Sequence, residues 1–373
     1  KLQLVEASER FIQARARVRY DVGAYYPCLG AEGSGGRSFS NNDITSDRRY
    51  SNSYNAELRS MWEIDLFGKI GRTVEAADAR YIASVYDREA LVHSLIAELL
   101  NLRVEIAANK RLLDLAAKTV ENRINTLELI ERRYELGAGN AKPQDVLKAR
   151  DTVTAVQADF HRYQRLLADA IYRLDVLLGQ TPGTTNPLKS AFPMIAPPID
   201  VPVCLPADLL DRRPDLRASE FRFKAENANI GVAIADLYPS LSLSGGMGFS
   251  GDSTGGLFSA DQLAGSLLGS IMSRIFEGGS LRANIKIQEA EARELAAGYA
   301  NDVLNAMREV ETNLKADQAL SSEAMNAQAS VDALTKAEDI LQSRYLRGIE
   351  TLRDLLDAQR DLYNAQQNLL SVQ

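Results

Sequence analysis

The chain has 373 residues, of which 45% are hydrophobic and only 7% aromatic, and it carries a formal net charge of −7 at pH 7. This acidic balance argues against general nucleic-acid binding, which requires basic surfaces. No run approaches the about 18–20 continuous apolar residues of a membrane helix, so any membrane span would have to consist of strands.

The first predicted elements are a helix and two strands. Residues 1–22 have the pattern of an amphipathic helix that ends before Pro27. Runs with strand character follow over 25–38 and 50–66. In the second run an apolar, aromatic face alternates with a face that carries both signs of charge, which is typical of a half-exposed strand. The apolar face includes Tyr50, Tyr54, Leu58 and Trp62.

A helical hairpin is predicted over 72–178. From Arg72 to Leu136 the sequence contains neither proline nor glycine, and apolar residues recur at helical spacing. A helix of this length would rise about 97 Å, far more than an ordinary globular helix. Glycines and Pro143 interrupt the pattern, and a second helix is predicted to return to Leu178.

The second half of the chain repeats this order of elements. A proline-rich linker is predicted over 180–206, followed by a helix over 207–236. Two more strands are predicted over 238–250 and 263–276. A second helical hairpin then occupies 280–373 and turns at Gly348.

The two halves, 1–179 and 207–373, share short motifs about 211 residues apart. The matched pairs are Tyr26-Pro27 with Tyr238-Pro239, Arg133-Tyr134-x-x-Gly137 with Arg344-Tyr345-x-x-Gly348, and Asp145-Val146-Leu147 with Asp354-Leu355-Leu356. A solenoid repeats every 20–50 residues or so, which is far shorter. The pattern therefore predicts an internal two-fold repeat of helix, strand pair and helical hairpin.

Four strands in one chain leave the architecture open. They cannot close a barrel, and a bilayer does not tolerate open sheet edges. The sheet therefore belongs either to a soluble helical protein or to an assembly in which several chains pool their strands. Two chains would give eight strands, whose interior is filled by side chains. Three would give twelve strands around an aqueous lumen, with the aromatic face toward lipid.

Two motifs carry a resemblance to a known family. Arg212-Arg213-Pro214-Asp215-Leu216 with Ser219-Glu220, and the run from Trp62 to Lys69, resemble signatures of the outer membrane factors. These are the TolC-like efflux proteins, here of the NodT-type lipoprotein branch. The resemblance implies a mixed α/β membrane protein that forms a homotrimer. Its twelve-stranded outer-membrane β-barrel would continue into a long, coiled-coil α-helical barrel in the periplasm.

The resemblance also implies a function. The chain would be the bacterial outer-membrane exit channel of a tripartite efflux pump that passively exports drugs or other small toxic compounds. The implied partners are a periplasmic adaptor (membrane fusion) protein, an inner-membrane pump of the RND type, and outer-membrane lipid. Members of this branch carry a lipid on an N-terminal cysteine, which we expect upstream of Lys1.

Catalysis is not expected. Spacings typical of metal, redox or phosphate-binding motifs do not occur in the sequence, so we predict no enzyme activity, cofactor or metal. Two alternatives to the efflux channel stay open. One is the outer-membrane channel of a type I protein secretion system, and the other is a non-conducting helical scaffold.

The candidate gate lies where the second hairpin turns. Asp354 and Asp357 are one helical turn apart, and in a trimer they would form two rings of three carboxylates that favour cations. In the resembling family, aspartates at these positions narrow the periplasmic entrance, and a tyrosine matching Tyr345 tethers the coil. Glu350 stands where the family's best-known gate has an arginine, so Arg344, Arg347 and Arg353 are candidate substitutes. Alternatively, Asp354 is only a favourable charge at a helix N-terminus.

The turns themselves are candidate docking sites for the adaptor or pump. The first turn contains Gly137 and Pro143, and the second contains Gly348. Eight positions separate Gly137 from Asp145, but only six separate Gly348 from Asp354. This difference predicts a blunter first turn.

Overall fold

The computed structural model describes residues 2–41, 48–137, 142–184 and 212–373. The elements in chain order are α1 (Leu2–Val22), β1 (Cys28–Asn41), β2 (Arg48–Ile64), α2 (Lys69–Glu135), α3 (Pro143–Leu178), α4 (Pro214–Ala235), β3 (Ser240–Gly251), β4 (Leu263–Met272), α5 (Ser280–Leu346) and α6 (Leu352–Val372). The predicted mixed class is confirmed, because long helices accompany one four-stranded antiparallel sheet. Within the described ranges, no helix is both long and apolar enough to cross a membrane.

The strand boundaries differ from the sequence-based prediction by up to four residues, most clearly at the start of β1 and the end of β4. Residues 23–25 form a 3₁₀ turn, so β1 begins at Cys28, after a proline that has no N–H to donate. Strand β4 ends at Met272 rather than at 276, because Met272 pairs with Ser240, the first residue of β3. Most of the linker predicted over 180–206 and the start of the helix predicted over 207–236 lie outside the described residues.

The sheet has the order β1-β2-β3-β4, and each strand pairs with its sequence neighbour. Leu58 lies opposite Ala31 on one side and Met247 on the other, while Glu57 lies opposite Glu32 and Gly248. The alternation predicted for β2 therefore extends across all four strands. We call one side the apolar face, formed by Leu29, Ala31, Phe39, Tyr50, Tyr54, Leu58, Trp62, Leu243, Met247, Phe249, Leu263, Leu267 and Ile271.

The opposite side, the polar face, is lined mainly by serine, glycine and charged residues. Its members include Glu32, Ser53, Glu57, Arg59, Ser242, Ser244, Ser266 and Ser270, and its large apolar exceptions are Met61, Leu268 and Met272. The guanidinium of Arg59 lies 3.0 Å from the Glu57 carboxylate and 3.3 Å from that of Glu32. The hydroxyls of Ser242 and Ser270 are 2.7 Å apart. The sheet is thus strongly two-sided, as the sequence predicts for β2.

Gly248 is needed where β2 and β3 approach closely. A Cβ at this position would lie 2.5 Å from the carbonyl oxygen of Ala56 and 2.7 Å from the Cα of Glu57. Both are backbone atoms, so the strands would have to move apart. A Cβ on Gly269 in β4 would meet nothing within 4 Å.

The Gly248→Ala variant should therefore be destabilised. We expect the free energy of unfolding to fall by about 1–3 kcal/mol, because overpacking forces the backbone to shift. Gly269→Ala is the matched control, and we expect a change of at most about 1 kcal/mol. Thermal unfolding of both purified variants, followed by circular dichroism in detergent, checks this expectation. Equal midpoints for the two variants would contradict the close approach.

The chain divides into two compact units, and each takes segments from both sequence repeats. The sheet unit comprises 4–91 and 205–305, and the turn unit comprises 1–3, 92–204 and 306–373. The two repeats therefore contribute jointly to each unit, which fits the predicted repeat of half-structures. In the sheet unit, alanines line the helix contacts, with Ala76, Ala77, Ala83, Ala218, Ala225 and Ala228 all buried.

The signature motif at the start of α4 has a local structural role. Pro214 occupies the first turn of the helix, where its missing N–H costs nothing. Arg213 contacts the Asp215 carboxylate at 2.6 Å, and this hydrogen bond lowers the pKa of Asp215. Leu216 is buried, and the Ser219 hydroxyl donates to Asp302 of α5 at 2.8 Å. The motif thus defines a helix start and its packing.

Candidate functional site at the helix turns

Glycines in the left-handed conformation end both long helices of the turn unit. Gly348 has a φ angle of +78°, and its N–H donates to the backbone carbonyl of Tyr345 at 2.9 Å. The N–H of Ile349 donates to the backbone carbonyl of Arg344 at 3.0 Å. Gly137 at the end of α2 has φ +61°. Only glycine adopts this conformation without strain, which explains why the sequence places glycine at both helix ends.

Asp354 forms part of the start of α6. Its backbone N–H donates to the Thr351 hydroxyl at 3.3 Å, and the same hydroxyl donates to the Asp354 carboxylate. The residue is exposed and lies in the first turn of the helix. Asp354 is therefore a favourable negative charge at a helix N-terminus, which was the alternative to a gate residue. This position is also compatible with a residue that narrows a pore.

Asp357 lies between two arginines of the same helix. Its carboxylate is 3.1 Å from the Arg360 guanidinium and 3.7 Å from that of Arg353. The opposite side of α6 is buried and includes Leu352, Leu355 and Leu356. Asp354 is exposed on the other side of α6, and Asp357 is half-buried there. The sequence analysis missed Arg360, although its three-residue spacing from Asp357 indicates such a pair.

Glu350 and Arg344 are brought together across the second turn. The Arg344 guanidinium contacts the Glu350 carboxylate at 3.0 Å. An acidic residue at position 350 is thus paired with an arginine from the end of α5. The ion pair of Arg344 is therefore with Glu350 of the same turn, and not with Asp354 or Asp357.

The first hairpin holds Tyr345 through Arg133, a residue that the sequence analysis did not single out as functional. The Arg133 guanidinium lies 4.8 Å from the centre of the Tyr345 ring. It also donates to the carbonyls of Tyr345 at 3.4 Å and Leu346 at 3.0 Å. Tyr345 packs against a small core whose buried members are Ile130, Ala149, Leu352 and Leu356. Arg133 thus joins α2 to the end of α5.

The internal repeat was the one feature of the sequence that pointed to Arg133, because Arg133 occupies the position in the first half that Arg344 occupies in the second. The two arginines nevertheless have different partners. Arg344 pairs with Glu350, whereas the repeat position of Glu350 in the first half is Gly139, which has no charge to offer. Arg133 instead contacts the second hairpin. This contact joins residues 212 positions apart, so local sequence patterns could not indicate it.

The Arg133→Ala variant should loosen the second turn without unfolding the protein. The change removes a cation–π contact and two charge-assisted hydrogen bonds, each worth about 0.5–3 kcal/mol. We expect faster amide hydrogen exchange in residues 342–350 and little change in the sheet unit. Arg132→Ala, at an exposed neighbouring position, is the control. Unchanged exchange in Arg133→Ala would show that the contact does not hold the turn.

The first turn differs from the second. Pro143 begins α3, and the backbone N–H of Lys142 donates to the Asp145 carboxylate at 3.1 Å. Arg150 of α3 contacts Glu131 of α2 at 2.9 Å. Residues 138–141 lie outside the described residues, so the predicted blunter shape stays a prediction.

The predicted lipid-facing residues are brought together on the apolar face. Leu58 and Tyr50 are 48% and 55% exposed, and the Tyr50 ring contacts that of Phe39. Trp62 is partly buried, and its indole N–H donates to the Tyr25 carbonyl at 2.9 Å. Large apolar side chains that water would disfavour are therefore exposed along one side of the sheet.

Inside the turn unit, a row of buried and half-buried polar side chains follows α6, and it was not predicted from the sequence. Gln359, Tyr363 and Gln367 recur every four residues, which places them on one side of the helix. Tyr363 donates to Asp159 at 3.3 Å, and Gln367 donates to the Tyr163 hydroxyl at 3.0 Å. Burial and the nearby Asp159 carboxylate raise the pKa of Tyr363 well above its usual range. Among the described residues, no cluster of potential ligands could hold a metal ion.

Comparison with known proteins identifies relatives along almost the whole chain. The family model described as "Outer membrane efflux protein" matches residues 1–180 and 205–373. The solvent efflux pump outer membrane protein SrpC of Pseudomonas putida is 32% identical over 361 residues, which cover 96% of this chain and 76% of that protein. Outer membrane protein OprJ of Pseudomonas aeruginosa is 31% identical over 355 residues, 94% of this chain and 73% of OprJ.

A solved structure has the same fold. The outer-membrane channel OprN superposes with a TM-score of 0.91 at 30% sequence identity. The match covers 100% of this chain and 83% of that one.

Proposed function

Because the chain belongs to the outer membrane efflux protein family, and is an outer-membrane component of an efflux pump, we propose that it forms a trimeric duct for small toxic compounds. Its relatives include a solvent efflux protein, so apolar solvents, with drugs and other small toxic compounds, are the proposed substrates. The proposed partners are a periplasmic adaptor and an inner-membrane pump of the RND type. Conduction would be passive, with no catalytic step in this chain.

The two-sided sheet is the observation that best supports the duct. Its apolar face exposes Leu29, Leu267 and Ile271 to 77%, 76% and 74%. In the described part of the chain, β1 and β4 each have only one neighbouring strand. Three copies would pair these edges into twelve strands, with lipid on the apolar face and water on the polar face. A non-conducting scaffold would gain nothing from such a face.

The gate is proposed at the start of α6. In a trimer, Asp354 and Asp357 would contribute six carboxylates around one opening, with Arg353 and Arg360 flanking Asp357 in each chain. The contact of Arg133 with Tyr345 and the pair of Arg344 with Glu350 would hold the turn in place. We further propose that the turns at Gly137, Pro143 and Gly348 are where the adaptor or pump docks.

Conductance in planar lipid bilayers tests the proposed function. The purified protein should insert and give discrete, long-lived current steps. Protein that stays bound to the bilayer without passing current would support the scaffold instead.

Tolerance to toluene, measured in cells that lack their own outer-membrane efflux component, separates efflux from protein secretion. Restored tolerance is expected for an efflux channel, and unrestored tolerance with export of a fused secretion substrate is expected for a type I system.

A further inference from the structure

A cleft in the turn unit has the features of a ligand site. It has a volume of about 500 Å³ and lies between α3 and α6, with Arg123 of α2 in its lining. The apolar part of its lining includes Val156 and Leu356, and Tyr363 and Asn364 lie beside them. We call it the Arg123 cleft. Its volume would accommodate a small organic molecule.

Arg123 is a buried cation that contacts no carboxylate directly among the residues that the structure describes. The residue is only 4% exposed, and one guanidinium nitrogen donates to the side-chain oxygen of Gln359. The Gln359 amide donates in turn to Glu338 at 3.2 Å, so Gln359 stands between Arg123 and this carboxylate, whose charge partly offsets that of Arg123. Burial lowers the pKa of Arg123. A buried guanidinium is normally paired with an anion, because its desolvation is costly.

One donor of Arg123 is also unused. Its Nε–H is buried and has no acceptor among the residues that the structure describes. Buried donors are nearly always satisfied, and an exception needs an explanation. A ligand with an anionic oxygen in the cleft would compensate the charge of Arg123, which lines it.

The other charges of the cleft limit what this ligand can be. Asp357 is paired with Arg353 and Arg360, and Asp159 accepts from Tyr363 and Arg162. These two acids thus have partners other than Arg123, and with Asp151 they would repel a dianion. Lys148 adds one exposed positive charge at the cleft. These charges, together with the apolar part of the lining, favour a ligand that has one negative charge and an apolar body.

We propose that the Arg123 cleft binds an amphipathic organic carboxylate whose carboxylate group pairs with the Arg123 guanidinium. The inference goes beyond the proposed export function, and it does not depend on the gate, because binding is measured without ion flow. An organic acid that binds here would contact α2, α3 and α6 at once.

Isothermal titration of the purified protein in detergent tests this proposal, with 1-naphthoate as the probe. Its neutral counterpart, 1-naphthamide, has the same apolar body. We expect saturable binding of one naphthoate per chain and at least about tenfold weaker binding of the amide, because a charge-assisted hydrogen bond is lost. Equal affinity for acid and amide, or no saturable binding of either, would overturn the proposal.

Two variants locate the site. Arg123→Met should weaken naphthoate binding about tenfold or more, whereas Arg308→Met, at an exposed position of α5, should not change it. If Arg123→Met does not fold, Ala155→Trp tests whether the ligand occupies the cleft. Position 155 is exposed and lines the cleft without contributing a charge, so a tryptophan there would fill the space of the ligand. Loss of binding in Ala155→Trp supports the site, and unchanged binding places the ligand elsewhere.

Discussion

The Leu58→Arg variant should fail to assemble in the outer membrane, whereas Ser53→Arg should assemble normally. Leu58 is 48% exposed on the apolar face, opposite Ala31 and Met247. An arginine facing lipid near the midplane costs about 2–4 kcal/mol, and less near the interface. A trimer would carry this cost three times. Ser53 is exposed on the polar face of the same strand, where a charge would meet water.

The amount of assembled protein in the outer-membrane fraction measures this effect. We expect Leu58→Arg to leave little assembled protein while total expression in a protease-deficient strain stays similar. Ser53→Arg should match the wild type. Equal assembly of both variants would mean that the two faces of the sheet have been assigned wrongly, or that neither face meets lipid.

Replacing Asp354 and Asp357 together by asparagine should abolish block by multivalent cations and shift ion selectivity toward anions. Asparagine keeps the side-chain size, and at position 354 its amide oxygen can still accept from the hydroxyl of Thr351, the N-cap residue, so the fold should persist. The arginines at 353 and 360, which flank Asp357 at 3.7 and 3.1 Å, would then lose their partner. A unit charge at about 4 Å contributes ~1 kcal/mol even in water. We therefore expect the cation-to-anion permeability ratio to fall about fivefold or more.

Reversal potentials in planar bilayers under a salt gradient give this ratio directly. The control is Glu323→Gln with Asp339→Asn, which removes two charges from exposed positions of α5. This control should keep both the selectivity and the cation block of the wild type. If the Asp354 and Asp357 variant also keeps them, the constriction lies elsewhere along the duct.

The long helices were predictable because their ends carry local signals. Glycine flanks α5 on both sides, and neither glycine nor proline interrupts the pattern within the second half of α2. The strand ends were less predictable. The end of β4 depends on where β3 begins, and no feature of residues 273–276 reveals that partner.

The site was only partly predictable, because its key contacts join distant segments. The spacing of Asp354 and Asp357 placed both on one side of α6, but the contact of Arg133 with Tyr345 depends on tertiary packing. Alternation alone would also make Glu57 a freely exposed residue of the polar face. Instead it is half-buried, contacts Arg59, and would lie 2.4 Å from a Cβ on Gly246.

The mass of the purified protein in detergent tests the central proposal, a duct made from pooled strands, most directly. Light scattering, with the detergent contribution subtracted, should give three times the 41.0 kDa of one chain. Circular dichroism of the same fraction should show strand signal beside the dominant helix. A stable, monodisperse single chain that binds no detergent would contradict the account, because its open sheet edges and exposed apolar face would then have no partner.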